Sequence, residues 1–450
     1  MNRSIRRIAI VFSIAAMGVF LHPCPSPLHA DGVEMLSLDE CIDIALKGNP
    51  EIGIARENFN KSKSSLLYNY GSLLPRLSLD FYTGHRSYGP SSVQFDAQGR
   101  PVQTDGFDYE DYTFRINSDI VFFNGGGNIN GIRAAMRGRD AARENLMYRK
   151  DIISAMVIGA YYNLVRAKML LNVQKEGMEQ AKQSLDRTEA LLEVGSATRA
   201  DVLKARVLYS NTRLNMIKAR NAVELAREEL INVLNVQNGR SVDVDTTMSI
   251  AYIDPDAGSE IKFAMANRSD LKSLNHTMRS TSSGIAAARS GYMPTIGASF
   301  GYVWNDRTMA DNLNFFKEEY SWSVTGYITF NLFDRFATSS NVQSAKADHR
   351  IAEYNLESAR LNAVKEIKSI IFSLNEARER ISVASETVEQ AMEDVRLAEE
   401  RYRVGAGTML ETIDAQVALT QAKADVIDGK CDYLIAFADL SRATGRRIKK

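Results

Sequence analysis

The chain has 450 residues, 55 basic and 55 acidic side chains with a formal net charge of zero, and 45% hydrophobic residues. Zero net charge without a concentrated basic patch argues against a nucleic acid partner, because phosphate binding needs clustered lysine and arginine. The three cysteines make no disulfide framework, and the five histidines are scattered without a metal-ligand spacing, so neither a metal nor a cofactor is expected.

At the N-terminus, Arg3, Arg6 and Arg7 precede an apolar run from Ile8 to Leu21 and a Pro-rich stretch ending in Leu28-His29-Ala30. Residues 1–30 therefore read as a secretory signal peptide cleaved after Ala30. A lipid anchor on Cys24 is the lesser alternative, since Pro23 fits a lipoprotein signal badly. Removal of the signal leaves Cys41 and Cys431, read as two buried free thiols, with pairing in an oxidising compartment as the alternative. No later segment approaches the roughly 18 uncharged apolar residues of a membrane helix, so any membrane insertion must use strands.

The mature chain is duplicated. Glu193-Val194-Gly195-Ser196-Ala197-Thr198 recurs as Arg403-Val404-Gly405-Ala406-Gly407-Thr408, and the same offset relates Phe123-Asn124 to Phe333-Asp334. Asn49-Pro50-Glu51-Ile52 answers Arg268-Ser269-Asp270-Leu271 at a second offset, the difference lying in the loop 87–110. Residues 31–244 and 245–450 thus form two units, each reading helix, strand, strand, long helix, turn, long helix.

Strands are expected at about 77–86 and 111–123 in the first unit and 295–304 and 320–333 in the second. Alternation is cleanest from 320 to 332, where Tyr320, Trp322, Val324, Ile328, Phe330 and Leu332 interleave with serine, threonine and asparagine. Tyr112, Phe114, Ile116, Ile120 and Phe122 alternate likewise, and Tyr302 and Trp304 join Tyr320 and Trp322 in an outward aromatic band. Such strands are long enough to cross a tilted barrel wall, but four cannot close one, and lipid tolerates no open edge. Several chains must then share one sheet.

Between 129 and 193 there is no proline, and a continuous helix there would approach about 100 Å. Met178, Ala181, Leu185, Thr188 and Leu192, matched by Ala384, Val388, Ala391, Val395, Ala398 and Tyr402, make an alanine-rich coiled-coil seam that lets neighbouring helices approach closely. Gly195 and Gly405 fall where each long helix must reverse, at two hairpin tips. Thr198 and Thr408 can cap the returning helices, with Asp201 and Glu411 three residues on, so ordinary capping accounts for both acids without further function.

Asn124-Gly125-Gly126-Gly127-Asn128 follows a strand and opens a helix but lacks the Gly-Lys-Ser/Thr ending of a phosphate loop, so it reads as a turn. With no nucleophile elbow or paired catalytic acids, the chain is not expected to be an enzyme.

The ordered duplication resembles the TolC-type outer-membrane efflux protein family over the whole mature chain. The opening Leu38 to Leu46 with Asn49-Pro50-Glu51-Ile52, the strand entry Leu73-Leu74-Pro75-Arg76-Leu77, and the tip Tyr402 to Thr408 carry the likeness. The resemblance implies a mainly α protein with a membrane β-barrel part, a homotrimer closing a 12-strand barrel continued by a periplasmic α-helical barrel. It implies a passive exit duct for efflux or type I secretion, contacting outer-membrane lipid, a periplasmic adaptor (membrane fusion) protein, and an inner-membrane pump of RND, ABC or MFS type. By the same resemblance Val194, Gly195, Val404, Gly405 and Thr408 are adaptor-contact tips, Asp201 and Tyr402 tether helices in the closed state, and Glu411 and Asp414 ring the periplasmic gate. Glu411 replaces the familiar aspartate and Gly407 stands where some members carry a basic gate residue, which leaves a closing salt bridge there open. The alternative from another class is a periplasmic coiled-coil scaffold or adaptor without a pore.

Overall fold

The computed structural model describes residues 34–90, 94–102, 105–236, 242–306 and 319–446. The expected signal peptide, Cys24 included, lies outside the described residues. In chain order the elements are β1 (Glu34–Leu36), α1 (Leu38–Gly48), α2 (Pro50–Gly71), β2 (Arg76–Tyr88), β3 (Gln94–Phe95), β4 (Pro101–Val102), β5 (Phe107–Asn124), α3 (Gly127–Glu193), α4 (Arg199–Leu234) and β6 (Val242–Val244). They continue as α5 (Ala257–Asn267), α6 (Ser269–Arg289), β7 (Thr295–Asp306), β8 (Tyr320–Thr329), α7 (Ala337–Arg403) and α8 (Met409–Thr444).

α3 and α7 each run 67 residues without a break, about 100 Å at 1.5 Å per residue, and α4 and α8 each run 36. α3 packs on both α4 and α8, and α8 on α7, so the helices lie side by side as α4-α3-α8-α7 with α4 and α7 at the edges. On the strand side of the molecule α2 packs on α3, and α6 fills the space between α3 and α7.

The densest core lies midway along α3, where Ile153, Val157, Leu164 and Val165 meet Leu230 and Leu234 of α4 and the short parallel pair β1-β6. Each such fully buried aliphatic side chain contributes about 1.5–3 kcal/mol. Cys41 and Cys431 are both free and buried; burial pushes the Cys41 thiol up to about 11, and Cys431 Sγ rests 3.8 Å from Met248 Sδ. Both behave as small hydrophobes.

Two tethers at this level show one structural task solved by different residues. Asn49, the N-cap of α2, donates to the Val233 carbonyl at 3.3 Å, and Asn235 donates back to Gly48 at 2.9 Å. At the corresponding place in the second half, Arg268 donates to the Ala443 carbonyl at 3.1 Å while its guanidinium is gripped by Asp270 at 2.8 Å and Glu366 at 2.6 Å. A buried cation needs such pairing, which is why Glu366 also takes Arg442 at 2.7 Å.

Toward the tips the core thins to small side chains. Ala181, Leu185 and Thr188 of α3 and Ala384, Ala391 and Ala398 of α7 are buried, whereas Met178, Val388 and Val395 are half-buried. Leu192, expected in the seam, is exposed, because α3 ends one residue later and the returning helix starts only at Arg199.

The four long strands make one antiparallel sheet in the order β2-β5-β7-β8. β2 and β5 extend past the expected 77–86 and 111–123, their ladder running on to the pair Tyr88 and Phe107. β8 stops at Thr329 rather than 333. Thr329 pairs with Thr295, the first residue of β7, and Pro294 before it has no N–H to continue the ladder. A bulge between Val121 and Phe123 also shifts the alternation, so Phe123, not Phe122, pairs with Ile296.

Candidate functional site: the sheet faces and the helical tips

Directly paired residues of an antiparallel sheet point to the same side, so the register sorts the side chains into two faces. One carries the rows Leu77-Ser118-Phe300-Val324, Leu79-Ile116-Tyr302-Trp322 and Phe81-Phe114-Trp304-Tyr320. Leu77, Leu79, Val324 and Trp322 of these rows are 63–72% exposed, a contiguous apolar surface that a water-facing sheet would not present. Tyr302 and Trp304 share this face with Trp322 and Tyr320, as expected of the aromatic band, but unlike them they are not exposed. They lie on the central strand β7, flanked on both sides, and are covered to 9% and 3% exposure, with Tyr302 stacked on Tyr320 at 5.6 Å.

The opposite face is polar, with rows Arg76-Asp119-Ser299-Thr325, Ser78-Asn117-Gly301-Ser323 and Asp80-Arg115-Val303-Ser321. Side chains from all four strands line an open depression of about 540 Å³ here, in which Asn117 donates to Asp80 at 3.2 Å. The charges alternate in sign across β2 and β5, so this face is polar without a net charge. Sequence reasoning found the alternation but not the charge pairing, which depends on a register it could not fix.

At the far end of the helices the chain reverses twice. In the first tip Gly195 takes φ 77°, letting the Ser196 and Ala197 amides return to the Leu191 carbonyl at 2.8 and 3.2 Å. In the second, Gly405 takes φ 74°, and the Ala406 and Gly407 amides return to Arg401 at 2.9 and 3.0 Å. Val194 and Val404 are 74% and 71% exposed at the apexes, an arrangement that buries nothing within the chain.

Thr198 and Asp201 form a reciprocal capping box, the Asp201 carboxylate accepting from the Thr198 amide at 3.1 Å and hydroxyl at 2.6 Å. The second tip differs. Thr408 accepts from the Glu411 amide at 3.3 Å, but the Glu411 carboxylate turns instead to Arg401, 3.8 Å away, whose guanidinium also donates to the Ala406 carbonyl at 3.2 Å. A side chain at Gly407 would meet Arg401 Cβ at 3.0 Å and Glu411 Oε2 at 3.1 Å. The cation beside Glu411 therefore comes from Arg401, a residue the sequence pattern did not single out.

The two tips pack on one another through Leu185, Val202, Ala205 and Met409, with Tyr402, Tyr209 and Ile413 around them. The Tyr402 hydroxyl is buried there without an aligned hydrogen bond, since the nearby Thr188 hydroxyl donates to Ser184 at 2.7 Å. Burial pushes the Tyr402 phenol above its ordinary pKa, the Asp201 charge adds to this, and Thr188 offsets part of it. Asp201 and Tyr402, from different hairpins, are thus brought together, while Glu411 and Asp414 lie exposed on the first turns of α8. Among the described residues no group of three or more metal-ligating side chains assembles.

The model of the family described as outer membrane efflux protein matches residues 41–236 and 261–446. Protein CyaE of Bordetella pertussis is 25% identical over 405 residues, 88% of this chain and 80% of that one. Outer membrane protein TolC of Escherichia coli is 25% identical over 309 residues, 64% of this chain and 60% of its own length. Among solved structures, the Campylobacter jejuni CmeC outer membrane channel superposes with a TM-score of 0.79 at 17% identity, covering 94% of this chain and 90% of that one. The open-state MtrE outer membrane channel of Neisseria gonorrhoeae gives 0.75 at 19% identity, covering 92% and 91%. A family match over most of the chain, joined to a sheet with one apolar and one polar face, identifies the protein: it belongs to the outer membrane efflux protein family and is an outer-membrane channel that extends into the periplasm.

Proposed function

We propose that three copies of the chain form one passive exit duct, their sheets closing a 12-stranded barrel in the outer membrane and their helices a second barrel across the periplasm. The observation that carries this reading is a four-stranded sheet with an exposed apolar face and two unpaired edges, β2 and β8. In lipid those edges must be paired, and only further copies supply matching strands.

The sides agree. β2 and α4, from residues 31–244, form one flank of the chain; β8 and α7, from residues 245–450, form the other. Each flank carries unpartnered apolar side chains, with Leu203, Val207 and Leu214 on α4 and Tyr354, Leu361 and Phe372 on α7 all at least half exposed. Two different flanks meeting head to tail make a heterologous contact, which closes into a ring of three when successive copies are turned by a third of a circle.

In this duct Val194, Gly195, Val404, Gly405 and Thr408 present the surface that a periplasmic adaptor grips, and an inner-membrane pump of RND, ABC or MFS type supplies the energy. Asp201 and Tyr402 hold the two hairpins of one chain together in the closed state. Glu411 and Asp414 ring the entrance, where three copies gather six carboxylates that favour cations. Arg401 restrains Glu411 from within its own tip. A pore-free periplasmic scaffold has no use for the apolar sheet face and is the weaker reading.

The test is the oligomeric mass of the purified protein in detergent together with its single-channel conductance in a planar bilayer. A trimer giving stepwise, cation-selective openings is expected. A soluble, non-conducting species would retire the duct in favour of the scaffold.

A further inference from the structure

The turns that join strand to long helix, Asn124-Gly125-Gly126 and Asp334-Arg335-Phe336, share one design. In each, an Asn or Asp side chain accepts from the amide four residues on, Asn128 at 3.1 Å and Thr338 at 2.8 Å, and the next two residues are left-handed. In the first turn these are glycines with φ 64° and 81°; in the second they are Arg335 with φ 55° and Phe336 with φ 65°, a conformation that L side chains resist. Glycine at 125 is forced, since a Cβ there would lie 2.5 Å from Met293 Cβ. For the backbone alone glycine would serve the second turn better, so the Arg335 and Phe336 side chains must be wanted for what they reach.

Within the chain they reach almost nothing. Phe336 is 72% exposed, and its ring meets that of Phe333, equally exposed, edge-on at 5.6 Å. Arg335 has no ion pair among the described residues, because the neighbouring Asp334 carboxylate is committed to Thr338. The turn follows the apolar end of β8, where Ile328 is 72% exposed, through Leu332, 89% exposed, and leads into α7 on the periplasmic side. Along the chain the exposed apolar side chains Ile328, Phe330, Leu332 and Phe333 precede the cation Arg335, with Phe336 beside it, so apolar surface gives way to a charge flanked by two aromatic rings, as acyl chain gives way to interface and phosphate in a lipid leaflet.

We propose that this turn is a phospholipid anchor of the periplasmic leaflet, Arg335 holding a headgroup phosphate while Phe333 and Phe336 sit at the acyl boundary. The proposal rests on insertion of the sheet in the membrane and adds a specific lipid contact to it. A neighbouring copy is the less fitting occupant, because the segment a head-to-tail ring would bring beside this turn, Leu73 to Arg76, contains no acid and carries a cation of its own.

The experiment reconstitutes the full-length protein in bilayers holding spin-labelled phosphatidylglycerol or spin-labelled phosphatidylcholine and reads the motionally restricted lipid by electron paramagnetic resonance. One arginine at the surface corresponds to about a fivefold preference for the anionic lipid at its site. Arg335→Gln should lose that preference, Arg335→Lys should keep most of it, and Arg86→Gln at the opposite end of the barrel should leave it unchanged. The double variant R335G/F336G, which restores the first turn's solution, should also lose it while the detergent-solubilised protein stays at least as heat-resistant. An undiminished preference in Arg335→Gln overturns the proposal. So does a variant whose oligomer falls apart in detergent with lipid preference intact, which would make the turn a contact between copies. Absence of any restricted lipid around the wild-type protein would sink membrane insertion itself along with the anchor.

Discussion

Val324→Arg tests the lipid-facing surface at its centre. The apolar face of β8 runs from Tyr320 to Ile328, eight steps of about 3.4 Å, which at a tilt near 40° is roughly 21 Å of height, close to the apolar band of a membrane barrel. Val324 is the middle residue of that span and is 67% exposed, so replacing it removes little packing within the chain. An arginine there should destabilise each chain by about 2–4 kcal/mol in a bilayer, whereas an exposed position on a water-facing sheet would shift by about 0.5 kcal/mol or less. Thr325→Arg, one residue on and facing the polar side, should be nearly silent. Urea unfolding in phospholipid vesicles reports this through tryptophan emission, since the two tryptophans, Trp304 and Trp322, sit on β7 and β8 beside the site. A Val324→Arg cost below about 1 kcal/mol, or one equal to that of Thr325→Arg, would refute the assignment of the faces.

Arg268→Ala should lower stability by about 3–5 kcal/mol, seen as a shift of the unfolding midpoint, because it removes the buried cation and leaves the half-buried carboxylates of Glu366 and Asp270 beside an empty site. Burial pushes the Glu366 carboxyl up, but the hydrogen bonds from Arg268 and Arg442 outweigh this and hold it below its ordinary value of about 4.5. Its contribution is therefore complete above about pH 4.5 and is lost as the pH falls through the folded-state value, and Arg268→Ala should flatten that acid limb. Gly405→Ala meets no atom within 4 Å, so backbone strain of about 1–2 kcal/mol is its whole effect. Hydrogen exchange should quicken at the second tip while the global unfolding midpoint stays in place. The double variant Glu411→Ala, Asp414→Ala should reduce cation selectivity in planar bilayers, and an unchanged reversal potential would discard the acidic ring.

The long helices and the strands announced themselves through period and the absence of proline, which are local signals. What the sequence could not show depended on partners. The covering of Tyr302 and Trp304 follows from β7 being a central strand, a matter of sheet order that alternation does not encode. The end of β8 at Thr329 was set by Pro294, just before the paired strand β7, and the displacement of Phe122 by a bulge that period-two reading passes over. Gly407 was legible as a departure from a familiar tip, but the group occupying its space, Arg401, sits six residues earlier and enters only because the turn folds back on α7. That Asp201, besides closing its capping box, lies near Tyr402 of the other hairpin is visible only with the two hairpins side by side.

The tethers at Asn49 and Arg268 also have a mechanical meaning. α4 and α2, about 54 and 33 Å long, meet end to near end, and the gap between them is crossed by the unbroken α3; α8 and α6 stand in the same relation to α7. This is a lap joint, in which each seam in one member is bridged by the middle of its neighbour. A wall built so resists bending at its weakest cross-section, because the joint coincides with the densest core and with the Asn49 and Arg268 pins. Force applied at the tips is then borne as compression along two continuous rods, and motion is confined to the thinly packed stretch beyond the joint, where alanine replaces leucine.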